Sequence, residues 1–472
     1  MRAAVSLALL VLCGCVQDVE PTRPNVVLIL VDTLRADRMP FHGCPQNTAP
    51  FLDDLARRSL VFENAWSPSS WTLPSTVSIL TSVHPFQHGV TNLVGLELEL
   101  GEEPVPVNCI PDEIETLAEV LGAAGYRTYG IVSNILVGTE VGFDRGFDRF
   151  VQLLDEDADA VNAAAANWRD EMLEGEPFFL YLHYIDPHDI YHAREPWFDP
   201  GRSSSESGWA EEFSEEAVDP DQIDWFLTRL DPVPDGFEGK TARELSPSEL
   251  RSLLAWSKAA YDSEIGFVDS RIREIFEMLD LEDAIVVFLS DHGEEFYEHS
   301  NLTHGQNIYN ETMRVPLFLY MPDADAPRGR LESHVSTLDV VPTLRRLLQV
   351  ADSRQDQGQD LLADVTRQPV LGILEGKSGQ HELDDNLRSI VSGNHRLIAL
   401  EGGRVELYDL ASDPLEQTDL AEELPEVVAG LLRELDGIER SAPRYPRTTR
   451  LPSLVSEAML EHLRGIGYLG DE

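Results

Sequence analysis

The sequence is poor in positive charge. Its 472 residues contain 36 lysines and arginines against 84 aspartates and glutamates, which gives a formal net charge of −48 at pH 7. A surface this acidic repels polyanions and argues against a nucleic-acid partner. A solvated surface adapted for solubility or salt is the simplest interpretation. If the substrate is itself anionic, a local charge must reverse this field, and bound metal ions are the strongest local charges available.

Long apolar runs are also missing. The run after Arg2 has about ten residues, too few to span a bilayer, and it is followed by small residues, so we predict an export signal over residues 1–15. Its end, Leu12-Cys13-Gly14-Cys15, resembles the lipobox of bacterial lipoproteins. This resemblance predicts a protein of the bacterial periplasm or cell surface that meets the membrane only through a lipid at Cys15. An ordinary cleaved signal with a chance cysteine is the alternative.

Cysteine is scarce. Of the four cysteines, Cys13 and Cys15 belong to the predicted signal, which leaves Cys44 and Cys109 in the rest of the chain. An oxidising compartment would allow one disulfide between these two. The sequence leaves that pairing open.

Short, continuous apolar runs alternate with helical patterns along the first 350 residues. The runs do not alternate with polar residues, as expected for strands covered on both faces. They are Val26 to Val31, Thr128 to Val132, Phe178 to Tyr184, Ile285 to Leu289 and Val315 to Tyr320. Helical spacing occurs at Ala49 to Ser59, Ile114 to Ala124 and Glu249 to Leu279. We therefore predict an α/β fold with a doubly wound, mostly parallel central sheet.

Two segments depart from this pattern. Residues 199–248 are rich in acids, serine, proline and glycine and predict an excursion from the core, either a lid over a site or a surface loop. After residue 350, the stretch RSIVSGNHRLIALEGGRVELYDL predicts antiparallel strands with a hairpin at Gly402-Gly403, followed by a helix near Pro425 to Leu435. We therefore expect a catalytic domain over residues 22–350 and a small C-terminal α+β subdomain over residues 351–472.

Three of the predicted strands end in side chains that can bind a metal. VVLILVDTLRAD places Asp32 at the end of one strand, and IVVFLSDHGEE places Asp291 and His292 at the end of another. FFLYLHYIDPHDIYH adds Asp186, His188 and His192. Ligands bind beyond the carboxyl ends of strands in open parallel sheets, so these side chains can meet although they lie far apart in sequence. Oxygen-rich ligation with an imidazole suits one divalent cation, such as Ca²⁺, Mn²⁺, Mg²⁺ or Zn²⁺.

The stretch SSWTLPSTVSIL places a hydroxyl at the start of a predicted helix. Thr72 precedes a helix expected from Leu73 to about Ser82, and the simplest interpretation is an N-cap. The functional interpretation is that the helix N-terminus and a nearby cation lower the pKa of this hydroxyl. Thr72 would then be a nucleophile toward phosphorus or sulfur.

The same blocks carry a family resemblance. They are, in order, PNVVLILVDTLRAD, TAPFLDDLARRSLVFENAWSPSSWTLPSTVSILTSVHPFQHGV, YLHYIDPHDIYH, DHGEEFYEH, THGQNIYNETMRVPLFLY and ELYDLASDPLEQTDLA. Together they resemble the sulfatases of the alkaline phosphatase superfamily over nearly the whole mature chain. The resemblance implies an alkaline phosphatase-like fold and a divalent cation held by Asp32, Thr72, Asp291 and His292. It also implies that His188 and His304 contact the oxyanion of the substrate or protonate its leaving group.

The sequence departs from this family at the nucleophile. Typical sulfatases carry Cys or Ser in a C/S-x-P-x-R motif and oxidise it to formylglycine, whereas here the stretch reads Thr72-Leu73-Pro74-Ser75-Thr76. Threonine cannot become that aldehyde, the motif arginine is missing, and Thr33 stands where many relatives have a second metal-binding aspartate. Formylglycine hydrate expels sulfate by collapsing to the aldehyde. A threonine adduct must instead be attacked at its central atom, which favours phosphoryl esters, as in the threonine-using phosphodiesterases and phosphonate hydrolases of the superfamily.

The sequence thus predicts a metal-dependent hydrolase of sulfate or phosphate/phosphonate esters, with an anionic ester derived from a glycan or lipid as substrate. Two alternatives stay open: a phosphoryl-group transferase with lipid or glycan acceptors, and a non-catalytic glycan-binding lipoprotein with the sulfatase fold. A second metal held by Asp186, His188, His192 and His304 is also conceivable. The spacing from Asp186 to His188 is shorter than the Asp-x-x-x-His pattern expected of two-metal relatives. The sequence does not indicate an oligomeric state.

Overall fold

The computed structural model describes most of the chain between residues 23 and 450. The described residues are 23–92, 107–199, 220–363, 368–375, 377–378, 381–382 and 386–450. The predicted export signal with Cys15, and residues 200–219 of the predicted excursion, lie outside them. Within the described part, no helix is both long and apolar enough to cross a bilayer.

A nine-stranded sheet forms the centre of the large domain. Its strands are β1 (Val26–Val31), β2 (Leu60–Trp66), β3 (Arg127–Val132), β4 (Arg149–Gln152), β5 (Phe178–Tyr184), β6 (Ile285–Leu289), β7 (Arg314–Val315), β8 (Leu317–Tyr320) and β9 (Gly329–Ser336). They lie in the order β7-β2-β8-β6-β1-β5-β3-β4, and β9 also pairs with β2. Strands β6, β1, β5, β3 and β4 run parallel, whereas β7 and β8 are antiparallel to their neighbours. The prediction of a mostly parallel central sheet is confirmed.

The strand predicted over Val315 to Tyr320 is interrupted at Pro316. Proline has no N–H to donate to a ladder, so β7 ends at Val315 and β8 begins at Leu317. Strand β8 then pairs antiparallel with both β6 and β2. The prediction of one continuous strand is therefore wrong at its second residue.

Helices cover both faces of the sheet. The helices are α1 (Pro50–Arg57), α2 (Thr72–Thr81), α3 (Pro85–His88), α4 (Leu117–Ala123), α5 (Ala158–Leu173), α6 (Pro220–Leu227), α7 (Pro247–Met278), α8 (Asn310–Met313), α9 (Val340–Leu347) and α10 (Pro425–Ser441). Residues of α2, α4 and α9 pack with Val26 and Leu28 in one apolar cluster. Residues of α1, α5 and α7 pack with Val27 and Ile29 in another. Successive side chains of β1 thus point to opposite buried faces, which explains its unbroken apolar sequence.

A second, smaller sheet follows the large domain. Its antiparallel strands are β10 (Val370–Leu374), β11 (Leu387–Ser392), β12 (His395–Ala399) and β13 (Val405–Asp409), in that order. Leu431 and Leu435 of α10 pack against Ile390 and Leu397 of this sheet. The predicted C-terminal subdomain is present, with a longer helix than the sequence indicated. Its boundary at residue 350 stays a prediction.

The two cysteines of the described region are not bridged. Cys44 and Cys109 are both free thiols. Cys44 Sγ lies 3.1 Å from Gln46 Oε1, and Cys109 Sγ lies 3.4 Å from the carbonyl oxygen of Thr448. The disulfide considered from the sequence is therefore not formed.

A buried arginine joins the subdomain to the large domain. Arg396 of β12 is fully buried, and its Nη1 lies 2.6 Å from Oε1 of the buried Glu416. Its guanidinium also donates to the carbonyl oxygen of Ile308 and stacks over Trp66 of β2, 4.7 Å from the ring centroid. Glu416 is buried with Arg396, so removal of either side chain would leave the charge of the other buried and uncompensated.

We expect Arg396→Met to lower the free energy of unfolding by about 3–5 kcal/mol, because it leaves Glu416 buried without its cation. Urea unfolding followed by circular dichroism measures this. The control is Arg404→Met, since Arg404 pairs with Glu406 at 3.1 Å but its side chain is 69% exposed. That change is expected to cost no more than about 1 kcal/mol. Equal losses in the two variants would contradict the prediction.

Candidate active site

Three neighbouring strands deliver polar side chains to one edge of the sheet. Asp32 follows β1, His183 is the penultimate residue of β5, and Asp291 and His292 follow β6. These strands lie side by side in the order β6-β1-β5, so their carboxyl ends meet. One ligand atom each of Asp32, His183 and Asp291 lies within 4.8 Å of the others. These three side chains and that of His292 are fully buried.

Asp32 lies at the centre of this group. Its Oδ2 accepts a hydrogen bond from Asn134 Nδ2 at 2.7 Å and from His183 Nε2 at 3.0 Å. Its Oδ1 lies 3.4 Å from His292 Nε2. Burial raises the pKa of Asp32, but the contacts with His183 and His292 outweigh burial and hold the pKa well below its usual value. Asp32 is therefore an anion in spite of its complete burial.

Asp291 adds a second buried carboxylate. Its Oδ1 accepts a hydrogen bond from the backbone N–H of His292 at 3.0 Å, and its Oδ2 lies 3.6 Å from His292 Nε2. Burial and the negative charge of Asp32 raise the pKa of Asp291. Two carboxylates this close together need a positive partner between them.

His292 faces both carboxylates. Its Nδ1 lies 2.9 Å from the carbonyl oxygen of Gly293, which can only accept, so Nδ1 carries a proton. Nε2 is then the atom that points to the two carboxylates. Burial lowers the pKa of His292, but Asp291 and Asp32 outweigh burial and raise the pKa to about 9. A proton on Nε2 and a divalent cation are therefore alternative ways to place positive charge between Asp32 and Asp291.

The oxygen atoms at the centre fit a cation. Asp32 Oδ1, Asp291 Oδ2 and Thr33 Oγ1 are buried without a hydrogen-bond partner among the described residues. Buried polar atoms without partners are costly, and a bound cation would compensate the two carboxylate oxygens. Two carboxylates, an imidazole and a hydroxyl form a donor set suited to a hard or borderline divalent cation.

Thr72 reaches the same centre from α2. It is the first residue of that helix, and its Oγ1 lies 3.2 Å from His292 Nε2. The N-cap is Trp71, and no side chain caps the helix. The prediction that Thr72 caps the helix is therefore wrong, because its hydroxyl bonds to the imidazole instead of to the backbone of the first turn. It still lies at the positive end of a helix.

Two further histidines lie close to His292. The ring centroid of His304 is 4.5 Å from that of His292 and 4.9 Å from that of His188. His304 Nδ1 lies 3.0 Å from Oε1 of the buried Glu294. Burial lowers the pKa of His188, but Asp189 outweighs burial and raises the pKa well above its usual value. His188 therefore supplies a positive charge beside the centre.

Comparison with known proteins places this geometry in a family. The family model described as Sulfatase matches residues 24–350, more than two thirds of the chain. The chain belongs to the sulfatase family. It is 27% identical over 407 residues to the human N-sulphoglucosamine sulphohydrolase, covering 80% of this chain and 73% of that protein. As a sulfatase-family member it is an ester hydrolase, and the central Asp and His residues are a candidate site for the divalent metal that the family typically binds.

Two solved structures are similar to this sulfatase-family chain in fold. The phosphonate monoester hydrolase of Agrobacterium radiobacter has a TM-score of 0.70 at 19% identity, covering 92% of this chain and 99% of that chain. The structure of BT4656 in complex with its substrate D-glucosamine-2-N,6-O-disulfate has a TM-score of 0.68 at 18% identity. The match to BT4656 covers 89% of this chain and 98% of that chain. The predicted alkaline phosphatase-like fold is confirmed.

The site does not include every residue that the sequence suggested. Asp186 Oδ1 lies 3.0 Å from Arg194 Nη2, and its Oδ2 accepts a hydrogen bond from the backbone of Ala158 at the start of α5. His192 Nδ1 lies 3.1 Å from Asp231 Oδ2. Both side chains therefore have structural partners. The four-residue set considered for a second metal is not brought together, because only His188 and His304 of that set adjoin each other.

The sequence interpretation missed His183. Its Nε2 contacts Asp32, and its Nδ1 lies 2.9 Å from the hydroxyl of Tyr181. The available signal was a single imidazole near the end of the otherwise apolar and aromatic strand FFLYLHY. That signal alone does not predict a contact with Asp32, because the contact is set by the parallel register that pairs Leu30 of β1 with His183 of β5.

We expect Asp291→Asn to bind a divalent cation more weakly, by at least the roughly 10- to 100-fold typical of residues that support metal ligands. The physical reason is the loss of one of two buried negative charges at the centre. Metal content of the purified protein after dialysis, by inductively coupled plasma mass spectrometry, measures it. Asp186→Asn is the matched control, because that buried carboxylate pairs with Arg194 and should not change the metal content. Full occupancy in Asp291→Asn would show that the centre is misplaced.

Proposed function

We propose that this protein is a metal-dependent hydrolase that attacks anionic esters with Thr72 and prefers phosphoryl over sulfate esters. The observation that carries the proposal is the position of Thr72 Oγ1, at the start of α2 and 3.2 Å from His292 Nε2. The same Nε2 lies within 3.6 Å of both Asp32 and Asp291. The hydroxyl thus adjoins the only group of three or more possible metal-binding side chains found among the described residues.

Asp32, Asp291, His292 and Thr72 would hold the cation. When bound, a divalent cation lowers the pKa of a neighbouring hydroxyl and offsets negative charge on the group under attack. Thr72, once its hydroxyl proton has passed to solvent, forms the new bond to phosphorus while the bond from phosphorus to the leaving oxygen breaks. The positive charge of His188 binds an oxygen of the ester, and His304, held by Glu294, protonates the leaving oxygen. Water then gives a proton to His304, which lost one to the leaving oxygen, and attacks phosphorus. The bond from phosphorus to Thr72 breaks, and Thr72 regains its proton from solvent.

The preference for phosphoryl esters follows from the nucleophile. A threonine has one hydroxyl, so its adduct has no second oxygen with which to expel the bound group. The adduct must therefore be cleaved by attack on the central atom. The fold similarity to a phosphonate monoester hydrolase supports this preference.

The substrate class is a sugar-derived anionic ester in this proposal. BT4656, which shares the fold, was solved with D-glucosamine-2-N,6-O-disulfate as its substrate. The human relative is named as an N-sulphoglucosamine sulphohydrolase. Both names support a glycan-derived ester for this chain.

We expect Thr72→Ala to lower kcat by at least about 10⁴-fold at saturating metal, as losses of other enzymatic nucleophiles do, with the unfolding midpoint retained. Initial rates with 4-nitrophenyl esters measure it. Thr81→Ala is the control, because Thr81 lies buried on the same helix and only donates its hydroxyl to the carbonyl oxygen of Val77. Thr72→Ser should keep measurable activity. Wild-type rates in Thr72→Ala would remove Thr72 from the reaction.

We expect kcat/KM to be higher for 4-nitrophenyl phosphate or bis-4-nitrophenyl phosphate than for 4-nitrophenyl sulfate. The leaving group is the same in all three, so the difference reports the central atom. Higher kcat/KM for the sulfate would overturn the phosphoryl preference. No turnover of any of the three in protein with bound metal would favour a glycan-binding protein instead.

A further inference from the structure

The segment from α6 to Asp231 touches the loops that carry both His188 and His304. Gln222 Nε2 donates to Gln306 Oε1 at 2.8 Å, two residues beyond His304. The carbonyl oxygen of Arg229 accepts a hydrogen bond from the backbone of Tyr191 at 2.8 Å, in the loop that follows His188. This segment belongs to the excursion that the sequence left open as a lid or a surface loop. Its described part is joined to the site.

Asp189 orients the ring of His188. His188 Nδ1 lies 2.8 Å from Asp189 Oδ1 and 2.6 Å from the carbonyl oxygen of the same residue. Both partners are acceptors, so Nδ1 carries a proton and the other ring nitrogen, Nε2, is left for the substrate. Both side chains are buried.

Arg229 holds the second oxygen of Asp189. Arg229 Nε lies 3.4 Å from Asp189 Oδ2, and the side chain of Arg229 is 3% exposed. Its guanidinium stacks over Trp225 of α6 with a separation of 4.7 Å. The carboxylate is therefore held from two sides, by His188 at one oxygen and by Arg229 at the other.

Several charged groups face this arrangement. Asp189 and Arg229 lie on one side of His188, and the His304 ring lies on another. Asp32 and Glu294 add negative charge from the sheet edge and from the loop after β6. The buried Glu264 of α7 also interacts with His188, so removal of Asp189 leaves His188 with the more distant carboxylates of Asp32, Glu294 and Glu264.

We propose that Asp189 and Arg229 are positioning residues of the ester hydrolase, Arg229 holding Asp189 and Asp189 fixing the tautomer and direction of His188. The proposal rests on the role that the proposed function gives to His188. It makes the segment from α6 to Asp231 a fixed part of the site.

The test is a set of mutant cycles on Asp189→Asn, Arg229→Met and His188→Ala, assayed with phenyl and 4-nitrophenyl phosphate. Asp189→Asn should lower kcat/KM by at least about tenfold, as loss of the partner of a functional histidine does. The loss should be similar for the two esters, because His188 binds an oxygen of the ester whereas His304 protonates the leaving oxygen. In the His188→Ala background, Asp189→Asn should have no further effect. The double variant Asp189→Asn/Arg229→Met should lose no more than Asp189→Asn alone.

The pH profile gives a readout that a purely structural role would not move. Asp189 keeps His188 protonated, so Asp189→Asn should shift the alkaline limb of kcat/KM to lower pH. Arg271→Met is the control, because Arg271 pairs with the carboxylates of Asp159 and Glu274 and, like Arg229, stacks over an aromatic ring at 4.7 Å. It should leave both rate and profile unchanged. Arg229→Lys should recover part of the activity lost in Arg229→Met.

The outcomes separate the two proposals. Unchanged rates in His188→Ala would remove His188 from the proposed function. A loss in His188→Ala, together with an equal further loss from Asp189→Asn in both backgrounds, would overturn the positioning proposal alone. If Arg229→Met does not fold by circular dichroism, Asp189→Asn, which keeps the shape of the side chain, decides between these outcomes.

Discussion

The site depends on burying the carboxylates of Asp32 and Asp291 side by side. Each follows the end of a central strand and is fully buried, where an isolated charge would be very unfavourable. Asn134 and His183 satisfy one oxygen of Asp32, and the backbone of His292 satisfies one of Asp291. The remaining two oxygens have no hydrogen-bond partner in the described part of the chain, and both lie close to His292 Nε2. This shared deficit of positive charge makes a cation site the simplest account of the geometry.

Each histidine of the site has a partner that fixes its tautomer. The pairs are His183 with Asp32, His188 with Asp189, His292 with the carbonyl oxygen of Gly293, and His304 with Glu294. Glu294 in turn accepts a hydrogen bond from the hydroxyl of Tyr191 at 2.8 Å. A fixed tautomer decides which ring nitrogen faces the centre, so the chemistry of the site depends on these outer groups as much as on the histidines.

The site also answers the difficulty posed by the acidic surface. A chain with a formal net charge of −48 repels an anionic ester at long range. The opposing charges are local and buried: the positive end of α2 at Thr72 and the protonated ring of His188. A cation between Asp32 and Asp291 would add to them. Since buried charges are screened less than exposed ones, a few such groups can outweigh many exposed carboxylates at short range.

The sequence by itself determined the succession of strands and helices along the chain and most of the residues at the centre of the site. Continuous apolar runs ending in Asp32, Asp291 and His292 predicted buried parallel strands and polar side chains at their ends, and both follow from local pattern. The threonine in place of Cys or Ser was equally visible. The sequence pattern did not predict which hydrogen-bond or ion-pair partner each of these side chains has.

Only the tertiary structure decided those partners. Asp186 and His192 follow a strand just as His188 does, yet they pair with Arg194 and Asp231, which come from the following loop and from beyond residue 219. His183 joined the site through the register of β5 against β1. The hydroxyl of Thr72 met the ring of His292, 220 positions away, instead of capping its helix. Such contacts depend on how strands and loops are placed in space, and the spacing of residues along a chain carries no information about that.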